Sequence, residues 1–126
     1  MSTTTVSTTT TPYVPHKGAL RLVGGSSSKE GRLEVFLHGQ WGTVCQNKWG
    51  KRDARIACRQ LGLPSRHAIA YRGNRAPKSP FGPGTGTIWL DQLRCRGTER
   101  KLISCHGDTD GRNNCNHSQD VGLRCH

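Results

Sequence analysis

Hydrophobic and polar positions fall into a regular order only from Ala19 onward. Residues 20–23 (LRLV), 33–37 (LEVFL) and 40–44 (QWGTV) are short runs rich in β-branched, aromatic and aliphatic side chains, and they predict strands. His38-Gly39, between the last two, suits a two-residue hairpin turn. In KRDARIACRQLG, residues 51–62, the period changes: Ile56, Ala57 and Leu61 share one side of a helix, with Gly62 and Pro64 as its stop. IWL at 88–90 predicts another strand, and VGLRC at 121–125 turns Val121, Leu123 and Cys125 to one face as a closing strand. Thr98, with Glu99 behind it, predicts the N-cap of a brief helix through Ser104. From Arg66 to Pro83 the pattern dissolves into Arg66, Arg72, Arg75, Lys78, three prolines and no acid, which predicts a long exposed loop. Strands with one good helix and a short second helix make a small α+β domain.

Residues 1–18 differ in kind, being Thr/Ser-rich with two prolines. Such a composition buries too little surface to order itself, so it is expected to be a disordered linker or O-glycosylated stalk, leaving 19–126 as the domain. The rest is also polar: the chain is 32% hydrophobic and holds 16 glycines. So small a core needs staples, and six cysteines can supply three disulfides, which implies an oxidising, extracellular setting. Spacing leaves their pairing open, and no C-x₂₋₄-C pair occurs to form a zinc knuckle. No apolar run approaches the ~20 residues of a membrane span, and the first residues contain no signal-peptide hydrophobic region. Met1 is therefore expected to begin a piece of a longer secreted chain.

Nineteen Lys and Arg against eight Asp and Glu give a net charge of +11. That field favours polyanions such as sulfated glycans, lipopolysaccharide and other bacterial surface ligands, nucleic acid or anionic lipid. Two Tyr and two Phe provide no stacking array, and no reading helix or finger accompanies the charge, so sequence-specific nucleic-acid recognition is not expected. Hydrolysis of the ribonuclease or lysozyme kind needs paired histidines or carboxylates in a cleft. His16 lies in the linker, His126 is the last residue, nothing pairs the other histidines, and Ser104-Cys105-His106 is no nucleophile elbow.

Four segments in order, EGRLEVFLHGQWGTVC, CRQLG, FGPGTGTIWLDQLRCRGTE and CNHSQDVGLRC, resemble the scavenger receptor cysteine-rich family, six-cysteine type, from about Leu20 to Cys125. The resemblance implies the pairs Cys45–Cys115, Cys58–Cys125 and Cys95–Cys105, and a curved antiparallel sheet cradling the helix. Trp41 and Trp89 would lie in the core. Each loop so closed would contribute roughly 3–5 kcal/mol in the entropic account. The family also implies a secreted or cell-surface ligand-binding module that is non-catalytic. The alternative is an accessory domain of a mosaic extracellular protease or amine oxidase, engaging a protein partner.

Relatives that bind calcium usually carry two aspartates after the first of these cysteines and a glutamate in an H-x-E-D segment. Here those positions hold Gln46, Asn47 and Gln119, three amides in place of carboxylates, so calcium is not expected there. A second cation position implied by the family aligns with Asp53, Asp91 and Asn114, a set that would hold one Ca²⁺ weakly, with Kd about 10⁻⁴ to 10⁻³ M.

YRGNRAPKSP makes the loop before FGPG roughly six residues longer than in relatives, adding Arg75 and Lys78. In a family that binds polyanions through basic clusters, this implies direct capture of anions by Arg and Lys. The candidate ligand-binding residues are Lys48, Lys51, Arg52, Arg55 and Arg59, of which Lys51, Arg55 and Arg59 form a helical stripe, and Arg72, Arg75 and Lys78 on the loop. Arg94, Arg96, Arg100 and Lys101 make a third cluster. Asn116-His117-Ser118 is an N-glycosylation sequon preceded by a cysteine.

Overall fold

The computed structural model describes residues 14–126, so most of the expected linker lies outside the described residues. Seven strands and one α-helix follow in chain order: β1 (Leu20–Gly24), β2 (Glu30–Leu37), β3 (Gln40–Val44), α1 (Lys51–Gln60), β4 (Ile69–Tyr71), β5 (Ile88–Arg94), β6 (His106–Asp108) and β7 (Gly122–Arg124). Single 3₁₀ turns occur at Leu102–Ser104 and His117–Gln119.

β2 organises the sheet. One of its edges carries β1, from Leu20 opposite Val35 to Gly24 opposite Gly31. The other edge is divided, with Glu30–Arg32 paired to β7 and Glu34–Leu37 paired to β3. β4 continues the sheet beyond β7, and β5 followed by β6 continues it beyond β3. All pairings are antiparallel except β3 with β5, where Thr43 lies opposite Ile88 and Val44 opposite Leu90. The β2–β3 turn has positive φ at both His38 (50°) and Gly39 (79°), the primed geometry whose twist matches its strands.

The curled sheet cradles α1, whose Ala54, Ile56, Ala57 and Cys58 are fully buried against Leu33, Val35, Val44, Leu90, Leu93, Val121 and Leu123. Gly62, at φ +73°, takes the left-handed position that ends the helix. The disulfides are Cys45–Cys115, Cys58–Cys125 and Cys95–Cys105, with Cα separations of 6.3, 5.6 and 4.7 Å. Upstream of β1, the chain docks at Gly18, whose N–H donates to Phe36 O at 2.7 Å and whose carbonyl accepts from Gln60 Nε2 at 2.9 Å.

Three local expectations are corrected. Thr98 caps no helix: the Glu99 carboxylate folds back to accept the N–H groups of Arg96 and Gly97. The short Cys95–Cys105 loop then closes on a single 3₁₀ turn, whose Leu102 N–H donates to Gln60 Oε1 at 2.8 Å. Within the expected loop from Arg66 to Pro83, Ala68 is buried and β4 pairs with β7. Tyr71 meets Phe81 edge to face, with centroids 5.6 Å apart. The buried tryptophan is Trp49, at 1% exposure, while Trp41 and Trp89 are half-buried. Trp89, though half-buried, packs against the core, while the two-residue period of a strand sends Trp41 to the face opposite Val44. There Trp41 meets Phe36, and the Arg21 guanidinium lies 4.2 Å above its ring.

Candidate functional site

Burial of Ala54, Ile56, Ala57 and Cys58 leaves Arg52, Arg55 and Arg59, at helical spacings of three and four, on the exposed face of α1. The left-handed turn at Gly62 returns the chain so that Ser65 and Arg66 run beside that face, and the Cys95–Cys105 loop brings Arg96 and Gly97 to it from the other side. The seven residues line one open cleft of about 480 Å³. Two guanidinium groups are held by main-chain oxygens, Arg59 donating to Gly97 O and Arg55 to Arg66 O at 3.4 Å. Among the described residues, no carboxylate lies within ion-pair distance of any of the five arginines.

The carboxylates on the same elements are committed to backbone. Asp53 accepts from Gly50 N at 2.9 Å and Cys95 N at 2.8 Å, tying the helix start to β5. Burial pushes its carboxyl up, against the pull of those two bonds. Glu99 is held below the usual carboxylate range, chiefly by the N–H of Arg96. Positive charge in the cleft is thus left without an internal counterion.

The cleft regroups the candidates. It takes Arg52, Arg55 and Arg59 from the first cluster and Arg96 from the third, and adds Arg66, which sequence reasoning had left in a loop. Lys51 and Lys48 stand outside it, the latter in a left-handed turn (φ 63°) ahead of the helix. Arg72, Arg75 and Lys78 belong to the separate 72–83 loop. Arg72 Nη1 donates to Ala76 O at 2.9 Å, and Lys78 borders a groove of about 260 Å³ with Asn74, His117 and Asp120.

Gln46 fastens that loop. Its Oε1 accepts the N–H of both Gly73 and Asn74 at 3.0 Å, and its Nε2 donates to Asn74 Oδ1 at 2.6 Å. Gly73 is pressed so closely on the following 3₁₀ turn that a Cβ would come within 2.2 Å of Ser118 O. Gln119 Oε1 accepts from Asn116 N, and Asn47 Nδ2 reaches Cys115 Sγ at 3.5 Å. Three neutral amides supply no anionic oxygen, and those of Gln46 and Gln119 are already taken by protein N–H groups, so the position does not fit calcium. In the second set, Asp53 has both oxygens engaged and Asn114 is exposed. Asp91 is 5% exposed beside the Cys45–Cys115 bridge, with an unpartnered Oδ1. Of these three, only Asp91 therefore has a buried carboxylate oxygen to spare.

His117 offers no free nitrogen for acid–base chemistry. Nδ1 lies 2.8 Å from Asp120 Oδ2, and Nε2 lies 2.8 Å from Gly86 O. Asn116 is exposed at the N-cap of the 3₁₀ turn, its Oδ1 accepting from Ser118 N at 3.0 Å.

The scavenger receptor cysteine-rich domain model matches residues 23–126. The chain is 42% identical to the third SRCR domain of murine neurotrypsin, covering 85% of this chain and 94% of that one, with a TM-score of 0.73. It is 40% identical to the SRCR domain of mouse MARCO, solved in its dimeric form, covering 84% and 93%, with a TM-score of 0.67. Fold, three-disulfide pattern and sequence agree: the chain belongs to the scavenger receptor cysteine-rich domain family.

Proposed function

We propose that this domain is a non-catalytic extracellular recognition module, secreted or displayed at a cell surface, whose ligands are polyanionic: sulfated glycans and bacterial surface polyanions. The strongest support is the cleft of five arginines without carboxylate partners, in a chain of net charge +11. Unpaired guanidinium groups on rigid elements bind sulfate or phosphate bidentately and draw anions from a distance. The same contacts need no metal. Binding to dextran sulfate, followed across a salt series in calcium and in EDTA, is expected to fall steeply with salt and to ignore EDTA. No binding in either series overturns the proposal.

A protein partner is the second reading, favoured by an apolar groove of about 390 Å³ between Pro15, Ala19, Leu20, Arg21 and the half-buried Trp41. Trp and Arg are the residue types that anchor such contacts.

A further inference from the structure

We infer that the bond between Arg75 and Ala76 is a cleavage site for arginine-specific serine proteases, and that the cut converts the domain into a two-chain form without unfolding it. The 72–83 loop has a closed base and an open tip. At the base, Arg72 N donates to Pro77 O at 2.8 Å, and Ser79 N donates to Arg72 O at 2.6 Å. Between them Asn74, Arg75, Ala76, Pro77 and Lys78 are all exposed. Exposed loop tips are where proteases enter a folded chain, because little else has to open before the backbone can be seated.

Three basic residues lie on this loop, and the hydrogen bonds single out one. The bond after Arg72 ends in Gly73 N, which Gln46 Oε1 holds at 3.0 Å. The bond after Lys78 ends in Ser79 N, which is held at the base. Among the described residues, neither the Arg75 carbonyl nor the Ala76 N–H has a hydrogen-bond partner. The Arg75 side chain is free to enter an acidic S1 pocket, the feature that makes a trypsin-like enzyme choose Arg or Lys, and Ala76 adds little bulk on the leaving side. Elsewhere, Arg52, Arg55 and Arg59 lie within α1, and the N–H that follows Arg66 donates to His126 O at 2.6 Å, so these bonds are withdrawn from attack.

Hydrolysis consumes one water: the C–N bond breaks, the hydroxyl goes to the Arg75 carbonyl carbon and the proton to the Ala76 nitrogen. The cut parts Cys45 and Cys58 from the other four cysteines, and the Cys45–Cys115 and Cys58–Cys125 bridges both cross it. Residues 1–75 and 76–126 therefore stay covalently joined. Both stumps also keep their anchors, Gln46 holding Gly73 and Asn74 on one side while Arg72 holds Pro77 and Ser79 across the cut.

The test is digestion of the whole folded chain with trace trypsin, read by mass spectrometry with and without reduction and by circular dichroism. One early cut is expected within residues 19–126. It should make the unreduced product heavier by one water, and reduction should separate the chain after Arg75. Arg75→Gln should slow this cut about a hundredfold or more, because the S1 pocket loses its charged partner. Lys78→Gln should leave it unchanged. Chymotrypsin, offered only Tyr71 and Phe81 packed edge to face, should cut the loop far more slowly than trypsin. A first cut elsewhere in residues 19–126, a cut that survives Arg75→Gln, or resistance to trypsin that degrades the reduced and denatured chain would overturn the site. Equal cutting by chymotrypsin would overturn the arginine specificity, and loss of the native spectrum on cleavage would overturn the two-chain form.

Discussion

Gln46 and Asn74 are joined twice: the Gln46 amide donates to Asn74 Oδ1 at 2.6 Å and accepts the Asn74 backbone N–H at 3.0 Å. With the bond from Gly73 N, one buried side chain fixes the root of the 72–83 loop. Gln46→Ala leaves two backbone donors without their partner, so it should cost about 1–3 kcal/mol in urea unfolding. An unchanged unfolding midpoint and slope would mean that the loop is held elsewhere.

His117 lies between two acceptors, Asp120 and the Gly86 carbonyl, and only the protonated ring can donate to both. Burial opposes that charge, but the bonds to Asp120 and Gly86 outweigh it and lift the pKa above the ordinary histidine value. A raised folded pKa contributes stability that is complete below the unfolded value of about 6.5 and is lost as pH rises through the folded value. The thermal midpoint should therefore fall from mildly acidic to mildly alkaline pH, and His117→Gln should flatten the fall. Parallel pH profiles for parent and variant would exclude the clamp.

Removing different disulfides should separate stability from binding. The Cys45–Cys115 loop spans 70 residues and the Cys95–Cys105 loop 10, so entropic accounts give losses of about 4 and about 3 kcal/mol. Paired Cys→Ala changes at 95 and 105 should be the milder in denaturation and the harsher in dextran sulfate affinity, because this loop presents Arg96 and Gly97 to the cleft. The reverse order in affinity would show that the loop does not shape the site.

Calcium separates the two implied cation positions. Gln46→Asp, Asn47→Asp and Gln119→Glu together return anionic oxygens to the first position, and calorimetry should then detect binding with Kd about 10⁻⁴ to 10⁻³ M. In the parent chain the expectation for Asp53, Asp91 and Asn114 depends on the spare oxygen of Asp91. A parent signal that survives Asp91→Asn would reject that assignment.

What the sequence disclosed was local or periodic. Strand alternation, the helix with its Gly62 stop, and the His38-Gly39 turn were legible because neighbouring residues specify them. Cysteine pairing was available through resemblance, since spacing alone leaves it open. β4 went unread because three residues carry too short a pattern among basic and proline neighbours, and Glu99, placed like a helix opener, closes a turn instead. The cleft was half legible: the exposed side of α1 gave Arg52, Arg55 and Arg59. Arg66 and Arg96 join them through the Gly62 reversal and a disulfide loop, which no local period records.

The divided edge of β2 also orders events in time. The strand near the start of the domain is left half-paired until β7, from the far end of the domain, arrives to complete it. Folding of the domain is therefore deferred until β7 has been made, and long-range pairing of this kind is slow. During that wait the exposed strand edge and all the sulfhydryls are open to wrong partners, so yield is expected to depend on chaperones and thiol oxidoreductases of the secretory route, more than on the strength of any single contact in the finished molecule.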